Sequence, residues 1–234
     1  MVEHKNSLEK ELIRSEKLKT AGQLAAGVVH EIRNPLTTIK GFMQLFQNKE
    51  HLGQEDQKYY QLIISEISRI EGIITELLNT AKPNASKEVN FDINNIIEDI
   101  VLLHKSIADE KSIEIVTDCY SLPEVKQDPD QIKKVFINII KNCIEAMDKK
   151  GVLTITTNYI KDKEEVEITF KDTGCGMDEE TLNKIGTPFY TTKEAGTGLG
   201  MLTCFRIVDE MGGSLNIKSK LGEGTTFIIT VPVN

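Results

Sequence analysis

The stretch AGQLAAGVVHEIRNPLTTIKGFMQLF, residues 21–46, decides how the first third of this chain folds. Apolar positions recur in it at alternating intervals of four and three residues, at Ala21, Ala25, Val28, Ile32, Pro35, Ile39, Phe42 and Phe46. That spacing is typical of a helix with a single apolar seam. The stretch therefore predicts a long helix that packs along this seam.

A second seam follows the first after a polar break at residues 48–57. It runs through residues 60–77, again in steps of three and four. Two such helices joined by a short turn form an antiparallel hairpin. Because a hairpin buries little apolar surface alone, we expect two copies to pair into a homodimeric four-helix bundle.

The composition changes after residue 82. The segment 83–90 is polar and begins with a proline, which predicts a linker. Helical patterns then alternate with period-two strand patterns; we predict helices at 92–109, 129–148 and about 198–211, and strands at 113–118, 151–160, 164–172, 214–220 and 225–233. Interleaved strands and helices predict an α/β sandwich. We expect an α plus α/β fold, with a helical hairpin over 1–82 and a second domain over 91–234.

The overall charge and composition exclude several classes of protein. The chain has 28 basic and 36 acidic residues, a net charge of −8, and no long basic run. Nucleic-acid-binding proteins usually carry a basic face, so nucleic acid is not expected as a partner. Apolar runs are far shorter than the roughly 20 residues of a membrane helix, and we expect a cytoplasmic location. The four cysteines lack metal-ligand spacing and are expected to be reduced and mostly buried.

His30 lies on the side of the first helix that faces away from the apolar seam. Glu31 is adjacent, Asn34 lies one turn later, and Pro35 weakens the helix beyond them. A neutral imidazole is a nucleophile near pH 7, and a neighbouring carboxylate can stabilise the charge that develops during attack. The alternative is an ordinary surface histidine, which we expect for the other three histidines.

Three glycine-rich segments lie in the second domain: DTGCGM at 172–177, GTGLGM at 196–201 and GEGTTF at 222–227. The first follows a predicted strand, and the second precedes a predicted helix. Glycine lets the backbone approach a ligand closely, and amides at a helix N-terminus attract phosphate. Each segment taken alone is also compatible with an ordinary turn.

The helix predicted at 129–148 has a polar face of its own. Asp128 and Pro129 are typical of a helix start. Asn138, Asn142 and Glu145 then recur at helical spacing, although asparagine is a poor helix former. Amide oxygens suit Mg²⁺, so the face is either a metal-binding surface or a solvated polar stripe.

Taken together and in this order, these segments resemble the sensor histidine kinase family. VVHEIRNPL at 28–36 is similar to its phosphoacceptor box, and VFINIIKNCIEAM at 135–147 to its asparagine box. DTGCGM, TPFYTTK (187–193), GTGLGM and GEGTTF resemble the first glycine box, the phenylalanine box and the other two glycine boxes. The resemblance covers about residues 15–234. HEIRNPLTTIKGFMQL is most similar to the sporulation kinases of bacilli, the B type among them.

The resemblance implies a dimerisation and histidine-phosphotransfer bundle, with 1–20 as a coiled-coil connector. An ATPase domain of the gyrase and heat-shock-protein-90 type follows it. His30 is then the phosphorylated residue, with Glu31 as its general base and Asn34 as a residue that places water for dephosphorylation. ATP and Mg²⁺ are the implied cofactors. The implied nucleotide contacts are Asn138, Lys141, Asn142 (also the metal ligand), Asp172 (on the adenine amino group), Gly174, Gly176, Lys193, Gly196, Gly198, Gly200 and Thr225, with residues 178–196 as the ATP lid.

The resemblance also implies partners. The phosphate would pass to an aspartate of a response regulator receiver domain, and a small antikinase inhibitor would dock on the bundle near 39–46. We expect the parent protein to carry a sensor part and to be membrane-anchored through it. Glu145 departs from the basic residue common in the family, so charge stabilisation would come from Lys193 or Arg33. The alternatives are an ATP-gated clamp or a pseudokinase scaffold on the same fold.

Overall fold

The computed structural model describes residues 32, 35–43, 58–64, 66, 67, 70, 87–193 and 196–233. The chain divides into two compact units, Met1–Lys82 with Pro188–Leu199 and Pro83–Thr187 with Gly200–Asn234. In the first unit, residues 35–43 and 58–64 are helical. The rings of Phe42 and Tyr59 lie 5.2 Å apart between centroids, so these two helical stretches pack together.

The second unit is built on a mixed sheet. Its strands are β1 (Val89–Phe91), β2 (Ile113–Cys119), β3 (Val125–Gln127), β4 (Gly151–Ile160), β5 (Glu165–Asp172), β6 (Ser214–Lys220) and β7 (Gly224–Pro232). The order in the five-stranded sheet is β2-β4-β5-β7-β6, with β2 parallel to β4 and the other pairs antiparallel. β1 and β3 form a separate antiparallel pair.

The helices of this unit are α1 (Ile93–Glu110), α2 (Pro129–Ala146), α3 (Glu179–Lys184) and α4 (Gly200–Glu210), with a 3-10 turn at Lys161–Lys163. Alternate residues are buried in the middle of β4 and along β5 and β7, so one face of the sheet lies in the core and the other is more open. The predicted α plus α/β fold is therefore confirmed.

The helix α2 packs into the core of the second unit through an apolar face that runs from Ile132 to Ile144. Asp128 caps this helix by accepting a hydrogen bond from the amide of Asp130 at 3.0 Å, and Pro129 occupies the first turn, as predicted. Phe136 packs against Phe170 of β5 with ring centroids 5.2 Å apart, and both side chains are almost fully buried. This packing fixes α2 on the inner face of the sheet, while the rest of the helix surface stays available for other contacts.

Several features differ from the sequence-based expectations. His104, expected to be an ordinary surface histidine, is buried on α1. The strands β1 and β3 were not predicted, because three residues are too few to show an alternating pattern. All four cysteines are free, but the expectation that they are mostly buried is wrong for Cys119 and Cys175, which are exposed. In the described part of the chain, we find no helix that combines the length and apolarity needed to cross a bilayer.

Candidate active site

Asp172 ends β5 and is only 1% exposed. Its Oδ1 accepts hydrogen bonds from the backbone amides of Gly174 at 2.8 Å and Thr225 at 3.2 Å. Burial raises the pKa of this carboxyl group, and the two amides and the thiol of Cys143 partly counteract that rise by hydrogen bonding. Its Oδ2 is buried, and no nitrogen or oxygen donor among the described residues reaches it. Because an unpaired buried acceptor is costly, Oδ2 is well suited to receive a donor from a ligand.

The loop that follows Asp172 can take its path only with glycine at two positions. A Cβ on Gly174 would lie 2.7 Å from the carbonyl oxygen of Ala146. Gly176 has a φ of +63°, and a Cβ there would lie 2.0 Å from the carbonyl oxygen of Lys220. The loop is thus held between the end of α2 and the end of β6, with its backbone in direct contact with both.

The polar face of α2 carries the two asparagines that the sequence singled out. Asn138 and Asn142 are both half-buried. The Nδ2 of Asn142 donates to the Sδ of Met201 on α4 at 3.4 Å. The carbonyl Oδ1 of the same amide is a hard oxygen ligand of the kind Mg²⁺ takes.

Lys141 and Glu145 lie on the exposed part of the same helix. The Nζ of Lys141 and the Oε1 of Glu145 are 3.8 Å apart, an i to i+4 ion pair. The side chains are 64% and 38% exposed, so the pair adds little to stability. The pair places the positive charge of Lys141 beside Glu145, the acidic residue that stands where a basic one is common in the family.

The segment between α3 and α4 contains the remaining predicted phosphate contacts. Gly198 has a φ of +69°, and a Cβ there would lie 2.4 Å from the backbone of Phe189. The amide of Gly196 donates to the carbonyl oxygen of Lys193 at 3.2 Å. Gly200 begins α4, whose first amides point away from the helix and can bind an anion.

His30, Glu31 and Asn34 lie outside the described residues, as does Arg33. The described helical residues nearby expose an unusual amount of apolar surface in the single chain. Half-exposed large side chains are found at Leu36, Met43, Tyr60, Leu62, Ile64 and Ile67. An exposed apolar surface of this kind is typical of a contact with another chain.

The structure brings together Asp172, Gly174 and Thr225 by direct hydrogen bonds, and Asn138, Lys141 and Asn142 by their common helix. Sequence reasoning missed two contributors to the Asp172 network. Cys143 appeared only as a core residue of α2, and Ser219 only as one residue of an alternating strand. The signal for Ser219 is its pairing position directly opposite Thr225, which requires the strand register.

Comparison with known proteins identifies two family models along the chain. The model described as His Kinase A (phospho-acceptor) domain matches residues 20–86. The model described as histidine kinase-, DNA gyrase B-, and HSP90-like ATPase matches residues 127–234. The first match covers the helical hairpin, and the second covers α2, Asp172 and all three glycine-rich segments.

Individual proteins and structures show the same two-part similarity. Sporulation kinase E of Bacillus subtilis (strain 168) is 41% identical over 99% of this chain and 31% of its own length. Sporulation kinase B of the same strain is 35% identical over 97% of this chain and 53% of its own length. The chain thus spans from about a third to about half of the length of these relatives. The crystal structure of histidine kinase ThkA in complex with response regulator protein TrrA superposes with a TM-score of 0.82 and 30% identity, over 97% of this chain and 66% of that chain.

Proposed function

Since this chain belongs to the sensor histidine kinase family, we propose that it transfers the γ-phosphate of ATP to His30 and then to an aspartate of a response regulator. The observation that carries the proposal is the buried carboxylate of Asp172, with Oδ1 fixed by two amides and Oδ2 left without a nitrogen or oxygen donor in the described region. A fixed acceptor of this kind fits the exocyclic amino group of adenine. It does not fit the carbonyl oxygen that guanine carries at the same position.

The triphosphate would extend from Asp172 towards the polar face of α2. Asn142 would hold Mg²⁺ through its Oδ1, and Asn138 and Lys141 would lie beside the phosphates. The amide oxygen fits this metal because Mg²⁺ takes hard oxygen ligands and keeps several of its waters. When bound, the metal neutralises the charge of the phosphates.

The phosphate end of the site would involve the segment that leads into α4. Lys193 would supply positive charge, which Glu145 cannot. Gly196, Gly198 and Gly200 would let backbone amides approach the phosphates. The remaining implied contact, Thr225, lies beside Asp172, because its backbone amide donates a hydrogen bond to Oδ1.

His30 would act as the nucleophile. A ring nitrogen forms a bond to the γ-phosphorus while the bond to the bridging oxygen breaks and ADP leaves. Glu31 accepts the proton from the other ring nitrogen. Asn34 would place water for a separate hydrolysis step, which removes the phosphate from the aspartate of the response regulator. Such a transfer depends mainly on positioning and charge neutralisation.

We propose a homodimer with a response regulator as the partner. The half-exposed apolar side chains of the helical hairpin support the dimer, because a second copy would bury them. The similarity to the sporulation kinases of Bacillus subtilis supports a role in sporulation signalling, and the similarity to ThkA in its complex with TrrA supports a response regulator partner. Docking of a small antikinase near residues 39–46 and membrane anchoring of the parent protein stay predictions.

The experiment is autophosphorylation with γ-labelled ATP. The unchanged chain is expected to acquire label that is lost in acid and retained in base, because phosphohistidine has those stabilities. His30→Gln is expected to acquire no label while binding ATP with unchanged affinity, since His30 does not contribute to the adenine site. Acid-labile labelling of His30→Gln, or release of inorganic phosphate by the unchanged chain with no labelled protein, would contradict the proposal.

A further inference from the structure

The hydroxyl of Ser219, in the edge strand β6, joins three parts of the second unit. It accepts a hydrogen bond from the amide of Met177, which ends the first glycine-rich loop, at 2.9 Å. It lies 3.0 Å from the carbonyl oxygen of Gly224 and 2.9 Å from the hydroxyl of Thr225, both at the start of β7. A half-buried serine on a strand is usually a minor surface feature, but this one has three polar partners.

The number of protons determines the direction of these bonds. A hydroxyl group has one proton to donate and two lone pairs to accept with. Because the carbonyl of Gly224 can only accept, all three contacts form together when Ser219 donates to Gly224 and the Thr225 hydroxyl donates to Ser219. The amide of Met177 then takes the second lone pair. The hydroxyl of Ser219 is fully used, and the proton of Thr225 is directed towards Ser219.

Both segments that Ser219 joins also contact Asp172. The amide of Thr225 donates to Oδ1 of Asp172 at 3.2 Å. The loop that ends at Met177 contains Gly174, whose amide donates to the same oxygen at 2.8 Å. A second hydrogen bond joins the same segments, from the amide of Gly222 to the carbonyl oxygen of Cys175 at 2.7 Å. The orientation of Asp172 therefore depends on the glycine loop and the β6–β7 turn keeping their relative position.

We propose that Ser219 is a positioning residue of the nucleotide site, a role that rests on the function proposed above. Its hydroxyl holds the first glycine-rich loop against the start of β7, and so holds the two amides that orient the acceptor for adenine. Without the hydroxyl, the amide of Met177 and the hydroxyl of Thr225 each lose a partner, and the loop can separate from the turn. We therefore expect recognition of the base to weaken, while the rate of phosphate transfer is retained.

The same hairpin contains a matched control. Ser214 and Thr230 are directly paired across β6 and β7, as Ser219 and Thr225 are. Their hydroxyls also lie 2.9 Å apart, but this pair is exposed and no contact to the glycine loop is found for it among the described residues. Ser214→Ala thus removes the same kind of cross-strand bond from the same strand, away from Asp172.

The test compares Ser219→Ala with Ser214→Ala and the unchanged full chain. We expect Ser219→Ala to bind ATP about tenfold more weakly, the loss expected for one buried polar network bond. The ratio of ATP to GTP affinity is also expected to fall several-fold. In autophosphorylation, the half-saturating ATP concentration should rise while the rate at saturating ATP stays near that of the unchanged chain. Ser214→Ala should match the unchanged chain in all three measurements.

Equal ATP affinity of the two alanine variants would overturn the proposal, as would a loss confined to the saturating rate. If Ser219→Ala does not fold, Ser219→Thr is the test variant, because it keeps a hydroxyl. Retained ATP affinity and base selectivity of Ser219→Thr would support the role, and their loss would overturn it. The unchanged chain separates this proposal from the proposed function. If it does not bind ATP at all, the function has failed, whereas ATP binding that is insensitive to Ser219 removes only the positioning role.

Discussion

At the scale of single residues, the buried carboxyl group of Asp172 is suited to bind adenine but destabilises the folded chain when it ionises. Its carboxyl is buried, so its pKa in the folded chain lies above the ordinary value of 3.8. Below that pH the group is protonated in both the folded and the unfolded chain. As the pH rises, the unfolded chain ionises first, and the folded state loses relative stability until the raised pKa has been passed. Above the raised pKa, the nucleotide-free protein therefore keeps a destabilising carboxylate at the place where adenine would bind.

Asp172→Asn should separate these two effects. The asparagine keeps one oxygen for the amides of Gly174 and Thr225, but turns a donor towards the amino group of adenine. We expect ATP affinity, measured by calorimetry, to fall by about 100-fold, as for the loss of a charged hydrogen bond with its partner left unpaired. We also expect the free energy of unfolding of the variant, relative to the unchanged chain, to increase as the pH rises above 3.8. Parallel pH profiles from urea titrations would contradict the second expectation.

At the scale of elements, α2 serves the core and the site with different faces. Phe136 lies on the buried face against β5, and Asn142 lies on the polar face against Met201 of α4. The end of the helix meets the first glycine-rich loop, because the amide of Cys175 donates to the carbonyl of Ala146 at 3.0 Å. A helix with this arrangement couples the position of Asn142, the proposed metal ligand, to the position of the proposed adenine site.

Two substitutions on α2 should have opposite effects on stability and binding. Phe136→Ala leaves a cavity beside Phe170 and is expected to lower the free energy of unfolding by about 3–5 kcal/mol. Asn142→Ala is expected to change that free energy by less than about 1 kcal/mol. It should instead abolish the difference in ATP affinity between buffer with Mg²⁺ and buffer with a chelator. If Asn142→Ala keeps that difference, Asn142 is not the metal ligand. Asn158→Ala, an exposed asparagine on β4, is the control.

At the scale of the whole molecule, the helical hairpin leaves apolar side chains exposed that a second copy would cover. Ile67 lies on the seam read from the sequence and is 44% exposed in the single chain. Ile67→Glu is expected to convert the dimer to a monomer at micromolar concentration, measured by light scattering, because a charge would be buried at the interface. Leu102→Glu, at a 73% exposed position of α1, should remain dimeric. A dimeric Ile67→Glu would place the contact elsewhere.

Much of the fold was predictable from local patterns. The strands at β4, β6 and β7 and the start of α2 follow from alternation and from Asp128–Pro129, because each pattern is complete within a short window. The short strands β1 and β3 were not predictable, since their pairing depends on residues far apart in the chain, such as Val89 and Gln127, rather than on a local pattern. The contacts of Ser219 were not predictable for the same reason, because they depend on the register between β6 and β7.

The sequence by itself determined the order of the longer helices and strands, the position of every glycine-rich segment and the family to which those motifs point. Periodicity and glycine content depend only on near neighbours, so they can be read without coordinates. The tertiary structure decided which atoms meet: Oδ1 of Asp172 with the amide of Thr225, 53 residues away, and the hydroxyl of Ser219 with the loop that begins at Asp172. Those contacts follow from the registers of β5, β7 and β6, in which a shift of one residue would turn each side chain to the other face.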